Sequence, residues 1–284
     1  MPEPVVIEGA GEMQARAREL ARTGKSIGFV PTMGALHAGH MSLIERARRE
    51  NDVVVVSIYV NPSQFGPDED YSRYPRPFEA DKALCAAAGV DYIFAPKTLY
   101  AEDVRTWVTV GGLEDKLEGL SRPGHFRGVA TVVTKLLSIV RPDRAYFGRK
   151  DAQQLLIIQV LTRDLDLGCQ IVPCETAREP DGLAMSSRNS YLTPSERRQA
   201  LAIHRALEYC RTQVKLGELD AMKLLGGMGD ILSQQPDLEV DYIAIVDADT
   251  LEDLRAVQGD VLVAIAAKVG KTRLIDNIRF EEVA

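Results

Sequence analysis

The chain has 284 residues, 45% of them hydrophobic and 26% charged, which suits one large domain or two modest ones with an ordinary globular core. Its net charge of −7 argues against a dedicated nucleic-acid binder, which carries a basic face, and leaves room for a local basic pocket for a small anion. The longest apolar runs, such as Val53–Val60 and Val261–Ala267, are about a strand long, well short of the roughly 18 residues of a membrane span. The acidic N-terminal stretch MPEPVVIEGAGE lacks the basic and apolar regions of a signal peptide. Cysteines at 85, 169, 174 and 210 form no C-x-x-C pair. Free thiols in a reducing, cytoplasmic compartment are therefore expected, and a structural zinc site is not.

In chain order, Ile27–Val30 is a short apolar strand ending at Pro31. Residues 40–50 carry Met41, Ile44 and Ala47 with charges between them, the spacing of an amphipathic helix. Val53–Val60 is nearly continuous and β-branched, as in a strand covered on both faces of a parallel sheet. A helix over 78–88 is expected to stop at Gly89, and a strand to follow over Val90–Ala95. Next come a helix over 129–140 halted before Pro142, a strand over Ala145–Phe147, a helix over 152–166 and a strand over Ile171–Cys174. Repeated β-α-β units with short joins predict an α/β fold. Its doubly wound parallel sheet places sites at the C-terminal strand ends.

The pattern changes near residue 176. Thr193-Pro-Ser-Glu196 opens a long helix to about Leu216, with Thr at the N-cap, Pro in the first turn and Glu at the third position. A second helix starts from Asp220, and β-rich pieces follow over 240–246, 261–267 and 273–280. The expected division is a first domain over 1–176 and a smaller α+β domain over 177–284, with Thr176–Ser190 as the joint.

The most informative stretch is Phe29-Val-Pro-Thr-Met-Gly-Ala-Leu-His-Ala-Gly-His40. A strand ends, a Gly-containing loop follows, and a helix begins near His40. Backbone N–H groups exposed along such a loop, together with the helix start, make an anion site. Two imidazoles three residues apart can hydrogen-bond phosphates and the charge that builds on them. A tight turn with two surface histidines is the plainer reading of H-x-x-H, and zinc is a third, weakened by the lack of a nearby third ligand.

His37-Ala-Gly-His40 resembles the H-x-G-H signature of the nucleotidylyltransferase superfamily, shared with class I aminoacyl-tRNA synthetases. The longer run Pro31–His40 is similar to the pantoate–β-alanine ligases. Further blocks agree in order and spacing: Val60-Asn-Pro-Ser-Gln-Phe65, Tyr71-Ser-Arg-Tyr-Pro-Arg76, Ser121-Arg-Pro-Gly-His-Phe-Arg-Gly128, Gly148-Arg-Lys-Asp-Ala-Gln-Gln154 and Met185-Ser-Ser-Arg-Asn189. The resemblance covers nearly the whole chain. It implies a Rossmann-like first domain, with the smaller one closing over the site, and a homodimer. It also implies an activity. ATP and (R)-pantoate give pantoyl adenylate and pyrophosphate, then the amine of β-alanine attacks the acyl carbon to give pantothenate and AMP. Activation is needed because a free carboxylate is a poor acyl donor to an amine. Magnesium is expected to ride on the ATP phosphates with few protein ligands, and no protein metal ligand is assigned.

The resemblance further implies site residues. Met33, Gly34, Ala35, Leu36, His37, Ala38, Gly39 and His40 are expected at ATP, with Gly148, Arg149, Lys150 and Asp151 from a second βα loop. Ala177 is expected to meet adenine through its backbone, and Met185, Ser186, Ser187 and Arg188 form a degenerate second phosphate loop. His40, His37 and Lys150 are the expected catalytic groups. Lys150 is a point charge able to follow the phosphates, and Asp151 can accept from ribose hydroxyls. Read without the resemblance, Gly148–Asp151 is a solvated charged turn and Met185–Arg188 an exposed hinge.

Gln64 and Gln154 are expected to anchor pantoate, because an amide both donates and accepts; the resemblance implies Asn61 beside pantoate and Met33 as a further contact. Pro31, Met33, Val129 and Phe147 can supply an apolar wall or simply pack the core. Phe65–Pro77, including Tyr74, is rich in Gly, Pro and Asp and reads as a covering lid. His125 is either a third site histidine or a hydrogen-bonded loop residue, and His204, in a predicted helix, is structural. Arg149 departs from the family, which commonly has Glu there. The remaining rivals are another H-x-G-H nucleotidylyltransferase, a class I tRNA synthetase, which would need a basic anticodon-binding region, and a non-catalytic nucleotide-binding regulator.

Overall fold

The computed structural model describes residues 3–67 and 69–283. Met1 and Pro2 of the acidic N-terminal stretch, Asp68 of the expected lid and Ala284 lie outside the described residues. The chain divides into two compact units. The first runs to Glu114 and takes in Arg122–Arg149 and Gln153–Glu175. The second consists of Asp115–Ser121, Lys150–Ala152 and the chain from Thr176 onward.

The first unit is built on six parallel strands: β1 (Val5–Ile7), β2 (Ile27–Thr32), β3 (Val53–Ile58), β4 (Tyr92–Phe94), β5 (Arg144–Gly148) and β6 (Gln170–Cys174). Their order across the sheet is β1-β4-β3-β2-β5-β6. The helices between them are α1 (Ala10–Arg22), α2 (Ala38–Glu50), α3 (Phe78–Ala87), α5 (His125–Val140) and α6 (Ala152–Asp164). This is a Rossmann-like doubly wound sheet. Strand order reverses at β2, whose neighbours are β3 on one side and β5 on the other. Ligands in such sheets bind beyond the carboxyl ends of the strands at that reversal. Val53 through Val56 are all at most 4% exposed, as a strand covered on both faces requires.

The elements read from the sequence begin at Ile27 and so leave out β1 and α1. β1 is only three residues long. In α1, Met13, Ala17 and Leu20 face the core at helical spacing, but small and charged residues dilute the pattern. Helix α5 begins at His125, four residues earlier than expected, because Gly124 adopts φ +81 and ends the preceding turn. His125 is thus the first residue of a helix and not a loop residue.

In the second unit, α7 (Pro194–Lys215) and α8 (Ala221–Ser233) accompany an antiparallel sheet of β7 (Leu238–Asp247), β8 (Gly259–Val269) and β9 (Thr272–Val283). Thr193 Oγ1 accepts from the Glu196 N–H at 3.3 Å, and the Glu196 carboxylate accepts from the Thr193 N–H at 2.7 Å. This is the reciprocal cap the sequence predicts at the start of α7. Ala206, Leu207, Leu224, Met228, Val263 and Ile265 form the centre of this unit's core, each fully buried.

Most of the second unit runs from Thr176 onward, and two short earlier segments belong to it as well. The short helix α4 (Glu118–Ser121) is held by Glu118, which accepts from both Arg273 guanidinium arms at 2.6 and 2.7 Å and from Tyr242 Oη at 2.9 Å. The Lys150 carbonyl accepts from Asn277 Nδ2 at 2.7 Å. Among the described residues, no helix is long and apolar enough to cross a membrane. All four cysteines are free thiols, and burial pushes Cys85 up to about 12 and Cys210 up to about 11, where they do not react as thiolates.

Candidate active site

β2 delivers its chain at Thr32 into the loop that ends at the start of α2. Gly34 and Ala35 both take positive φ, +80° and +50°, a conformation natural for Gly and strained for Ala. Asp81 on α3 holds them there. This carboxylate is 1% exposed and accepts from the Ala35 N–H at 2.9 Å and the Leu36 N–H at 2.8 Å, one through each oxygen. Burial raises the Asp81 carboxyl above its ordinary range, and the two backbone hydrogen bonds oppose that rise. A Cβ at Gly34 would come within 2.9 Å of Asp81 Oδ2, so the loop and the carboxylate fit only with glycine. Nothing local in the sequence marks Asp81, whose partners lie 45 and 46 residues away.

His37 is the N-cap of α2, and the two histidines cap the helix reciprocally. His37 Nδ1 accepts from the Gly39 N–H at 3.1 Å, and His40 Nδ1 accepts from the His37 N–H at 3.3 Å. The ring centroids stand 4.1 Å apart. A neutral imidazole with an accepting Nδ1 carries its proton on Nε2, so both rings are held as Nε2–H tautomers. The Gly34 N–H is also taken, by Thr32 Oγ1 at 3.1 Å. Exposed backbone donors along this loop, the expectation from sequence, are therefore corrected at Gly34, Ala35, Leu36, His37 and Gly39. Each already has a partner.

After β3, Asn61 opens the short turn Pro62–Gln64. Asn61 is 1% exposed and Gln64 9% exposed. Asn61 Nδ2 donates to Gln64 Oε1 at 3.0 Å and to the Gly128 carbonyl at 3.2 Å. Asn61 Oδ1 accepts from Ser63 Oγ at 2.9 Å and from Tyr100 Oη at 3.0 Å. With its oxygen engaged by Asn61, the Gln64 amide directs its Nε2 toward Met33 Sδ, 3.3 Å away. Sequence-predicted Asn61, Gln64 and Met33 thus meet in one cluster, with the Asn61 amide orienting that of Gln64. Gly128 permits the close approach of α5: a Cβ there would lie 2.3 Å from the Ser63 carbonyl. Val129 and Phe147 are buried.

The lid segment is knit together by its own side chains. Phe65 packs on Tyr71 and Tyr74, with centroids 5.4 and 6.0 Å apart, and Arg76 donates to the Tyr71 and Tyr74 carbonyls at 3.0 Å. Glu69 accepts two hydrogen bonds from Arg122, each 2.7 Å. Burial raises the Glu69 carboxyl, but the Arg122 hydrogen bonds and charge outweigh it and hold the group below its ordinary range. Arg122 and Glu69 were not foreseen as functional residues. They are 53 positions apart, and either reads locally as a solvated charge.

Gly148 ends β5, and Arg149–Asp151 form a single 3-10 turn before α6. Arg149 Nε lies 3.2 Å from the exposed Glu175 carboxylate. Lys150 Nζ donates to Asp151 Oδ1 at 3.3 Å. The two neighbouring glutamines separate cleanly. Gln153 is buried and donates to the Leu113 carbonyl at 2.7 Å, whereas Gln154 is partly exposed.

In the second unit, the Ala177 carbonyl accepts from the Met185 N–H at 2.9 Å, which closes the segment into a loop. Ser186 Oγ accepts from the Arg188 N–H at 3.3 Å and caps the short turn Ser187–Tyr191. Asn189 Nδ2 donates to Glu179 Oε1 and the Ala184 carbonyl, both at 3.0 Å. Arg178 grips the buried Asp276 through two hydrogen bonds of 2.6 and 3.0 Å. His204 packs against Gly182, where a Cβ would come within 2.3 Å of the ring. Among the described residues, no three His, Cys, Asp or Glu side chains are grouped to hold a metal ion.

The family model described as pantoate-beta-alanine ligase matches residues 5–279. A pantothenate synthetase of Caldicellulosiruptor saccharolyticus is 51% identical over 279 residues, 98% of this chain and 99% of that protein. One from Thermotoga neapolitana is 53% identical over 274 residues, 96% of this chain and 98% of that protein. The crystal structure of pantothenate synthetase from Thermus thermophilus superposes with TM-score 0.91 at 45% identity, covering 96% of this chain and 98% of that one. The Francisella tularensis pantoate-beta-alanine ligase, complexed with beta-gamma ATP and beta-alanine, superposes with TM-score 0.78 at 35% identity, covering 97% of each chain. A nearly full-length family match, relatives at half identity and solved structures that superpose over almost the whole chain together establish that this chain belongs to the pantoate–β-alanine ligase family.

Proposed function

We infer that this ligase condenses (R)-pantoate with β-alanine in two steps at the carboxyl edge of β2, β3 and β5, consuming ATP and passing through pantoyl adenylate. In the first step the pantoate carboxylate attacks the α-phosphorus and pyrophosphate leaves. In the second, the β-alanine amine attacks the acyl carbon and AMP leaves.

The observation that carries this reading is the reciprocal imidazole cap. It uses both Nδ1 atoms to accept backbone N–H groups and so keeps each ring proton on Nε2. Two such donors at a helix N-terminus suit the negative charge that develops on phosphoryl oxygens. His37 and His40 are the proposed catalytic donors, with Lys150 as the catalytic cation. Met33 through His40, Gly148 through Asp151, the Ala177 backbone and Met185 through Arg188 are the proposed ATP contacts. At Gly34, Ala35, Leu36, His37 and Gly39 these contacts are proposed to be made by groups other than the engaged amides. Gln64, Gln154, Asn61 and Met33 are proposed for pantoate and β-alanine. Gln64 is already oriented with its Nε2 outward from Asn61, which suits an oxygen-rich substrate.

Mg²⁺ is proposed to enter as part of the nucleotide substrate, riding on the ATP phosphates with few protein ligands. The proposed compartment is the cytoplasm, on the four free thiols, and the proposed assembly is a homodimer, on family resemblance. Residues 1–176 are proposed as the ATP- and pantoate-binding domain, and 177–284 as the smaller domain. The test is stepwise turnover. Pyrophosphate should be released from ATP with pantoate alone, and AMP only after β-alanine is added. No pantoate-dependent pyrophosphate release would overturn the reading.

A further inference from the structure

The Gln64 backbone carbonyl is the meeting point of a directed chain of hydrogen bonds. Arg122 donates through Nε and Nη2 to the Glu69 carboxylate at 2.7 Å each. Its Nη1 lies 3.1 Å from His125 Nε2. A guanidinium has donors only, so His125 Nε2 must accept, and the ring proton must sit on Nδ1. That Nδ1 lies 2.8 Å from the Gln64 carbonyl oxygen and therefore donates to it. Arg122 Nη2 reaches the same oxygen at 3.5 Å. The chain is secluded: His125 is 9% exposed, and the side chains of Arg122 and Glu69 are 16% and 25% exposed. The same turn is pressed onto α5 three residues further on, at Gly128. Gln64 is thus gripped at its backbone by His125 and at its side chain by Asn61.

We propose that His125 is a positioning residue: held as the Nδ1–H tautomer by the Arg122–Glu69 pair, it fixes the Gln64 carbonyl and thereby aims the Gln64 amide at pantoate. His37 and His40 are held in the opposite tautomer by backbone donors. The protein thus holds the same side chain in two complementary tautomers, Nε2–H at His37 and His40 and Nδ1–H at His125. The functional half rests on the assignment of pantoate to Gln64, whereas the tautomer itself does not.

Two measurements test the proposal. Long-range proton–nitrogen NMR on the wild-type protein, whose four histidines are few enough to assign, should show Nδ1–H at His125 and Nε2–H at His37 and His40. An Nε2–H or doubly protonated His125 at neutral pH would overturn it without any variant. The second is steady-state kinetics of three substitutions. An asparagine amide nitrogen falls near the position of Nδ1, so His125→Asn should keep the donor and most of the pantoate affinity. His125→Gln and His125→Ala should raise the KM for pantoate about tenfold, the typical effect of losing a buried hydrogen bond. The KM for ATP should stay within about twofold. If asparagine is as damaging as alanine, or both KM values rise together, His125 only supports the fold. Failure of the wild type to use pantoate would instead sink the substrate reading, and the NMR result would still stand.

Discussion

At the scale of single residues, the capped histidines and Lys150 carry the sharpest expectation. Only interactions stronger in the transition state than in the ground state speed a reaction. In the adenylation step, charge builds on the phosphoryl oxygens and the leaving pyrophosphate. In the amide-forming step it builds on the acyl carbonyl. We predict that His40→Ala and Lys150→Ala each slow pantoyl adenylate formation about a hundred- to thousandfold, the usual loss for one such donor. ATP binding should weaken far less. Supplied pantoyl adenylate should restore much of pantothenate formation. Single-turnover comparison of the two half-reactions decides this. Equal loss in both, with the fold intact, would mean that these residues position the adenylate and do not stabilise phosphoryl charge. His40 has a further duty, since its Nδ1 caps the His37 N–H, so His40→Ala also costs about 1 kcal/mol of helix stability. Arg149 is the converse case. Its partner Glu175 is 89% exposed along the side chain, and such pairs contribute roughly 0–1 kcal/mol. Arg149→Glu should keep substantial activity with at most a modest shift in the KM for ATP. A collapse of turnover in a folded variant would give Arg149 a catalytic role of its own.

At the scale of elements, the loop between β2 and α2 is shaped from a distance by α3. Asp81 is an ionised group whose two oxygens are satisfied by backbone N–H donors and whose burial works against its charge. A carboxyl raised in the folded state destabilises the protein above its folded pKa, and that penalty is absent below the ordinary carboxylate value. Asp81→Asn removes the penalty but loses one of the two acceptors. We therefore expect stability at pH 7 to change by less than about 1 kcal/mol, because the two effects oppose each other. Loop geometry should suffer, with the KM for ATP rising about tenfold while pantoate affinity holds. Urea unfolding together with initial-rate kinetics separates the two. A large stability loss with unchanged KM for ATP would make Asp81 a fold residue only. The α7 cap and the short turn at Ser187 follow the opposite logic: their partners are neighbours in sequence, which is why α7 was legible in advance.

At the scale of the whole molecule, stability should respond to acid before it responds to base. Hydrogen bonds from Arg46 hold Glu50 below its ordinary range, those from Arg197 do so for Glu179, and Arg122 does so for Glu69 against the opposing effect of burial. Groups lowered in the folded state contribute stability that is complete above their unfolded values, about pH 4–4.5, and is lost as pH falls through the folded ones. Burial raises the Tyr146 phenol to about 12, so its contribution is present below about pH 10 and is lost as pH rises beyond that. We predict a stability plateau between about pH 5 and 9, falling steeply below about pH 4. Denaturant midpoints across that range measure it. A midpoint that rises on acidification from pH 5 to pH 3 would contradict these assignments.

Strand periodicity, the helix-capping signature at Thr193 and the ordered motif blocks made the sheet, the change of pattern near residue 176 and the His37–His40 loop legible from the sequence. All of these depend on residues within a turn or two of one another. The family resemblance supplied the reaction for the same reason, through contiguous motifs. Long-range contacts decided the rest. Asp81 reaches Ala35 across 46 positions, Arg122 reaches Glu69 across 53, Glu118 reaches Arg273 across 155, and Asn277 reaches Lys150 across 127. A buried carboxylate that shapes a loop and a solvated one on a helix have the same local sequence. Only folding, by removing water from one of them and bringing N–H donors or a guanidinium to it, gives the two different charges, geometries and duties. The same holds for the histidines. Their spacing marked them as a pair, but which nitrogen carries the proton is set by the donor that the tertiary structure places beside each ring.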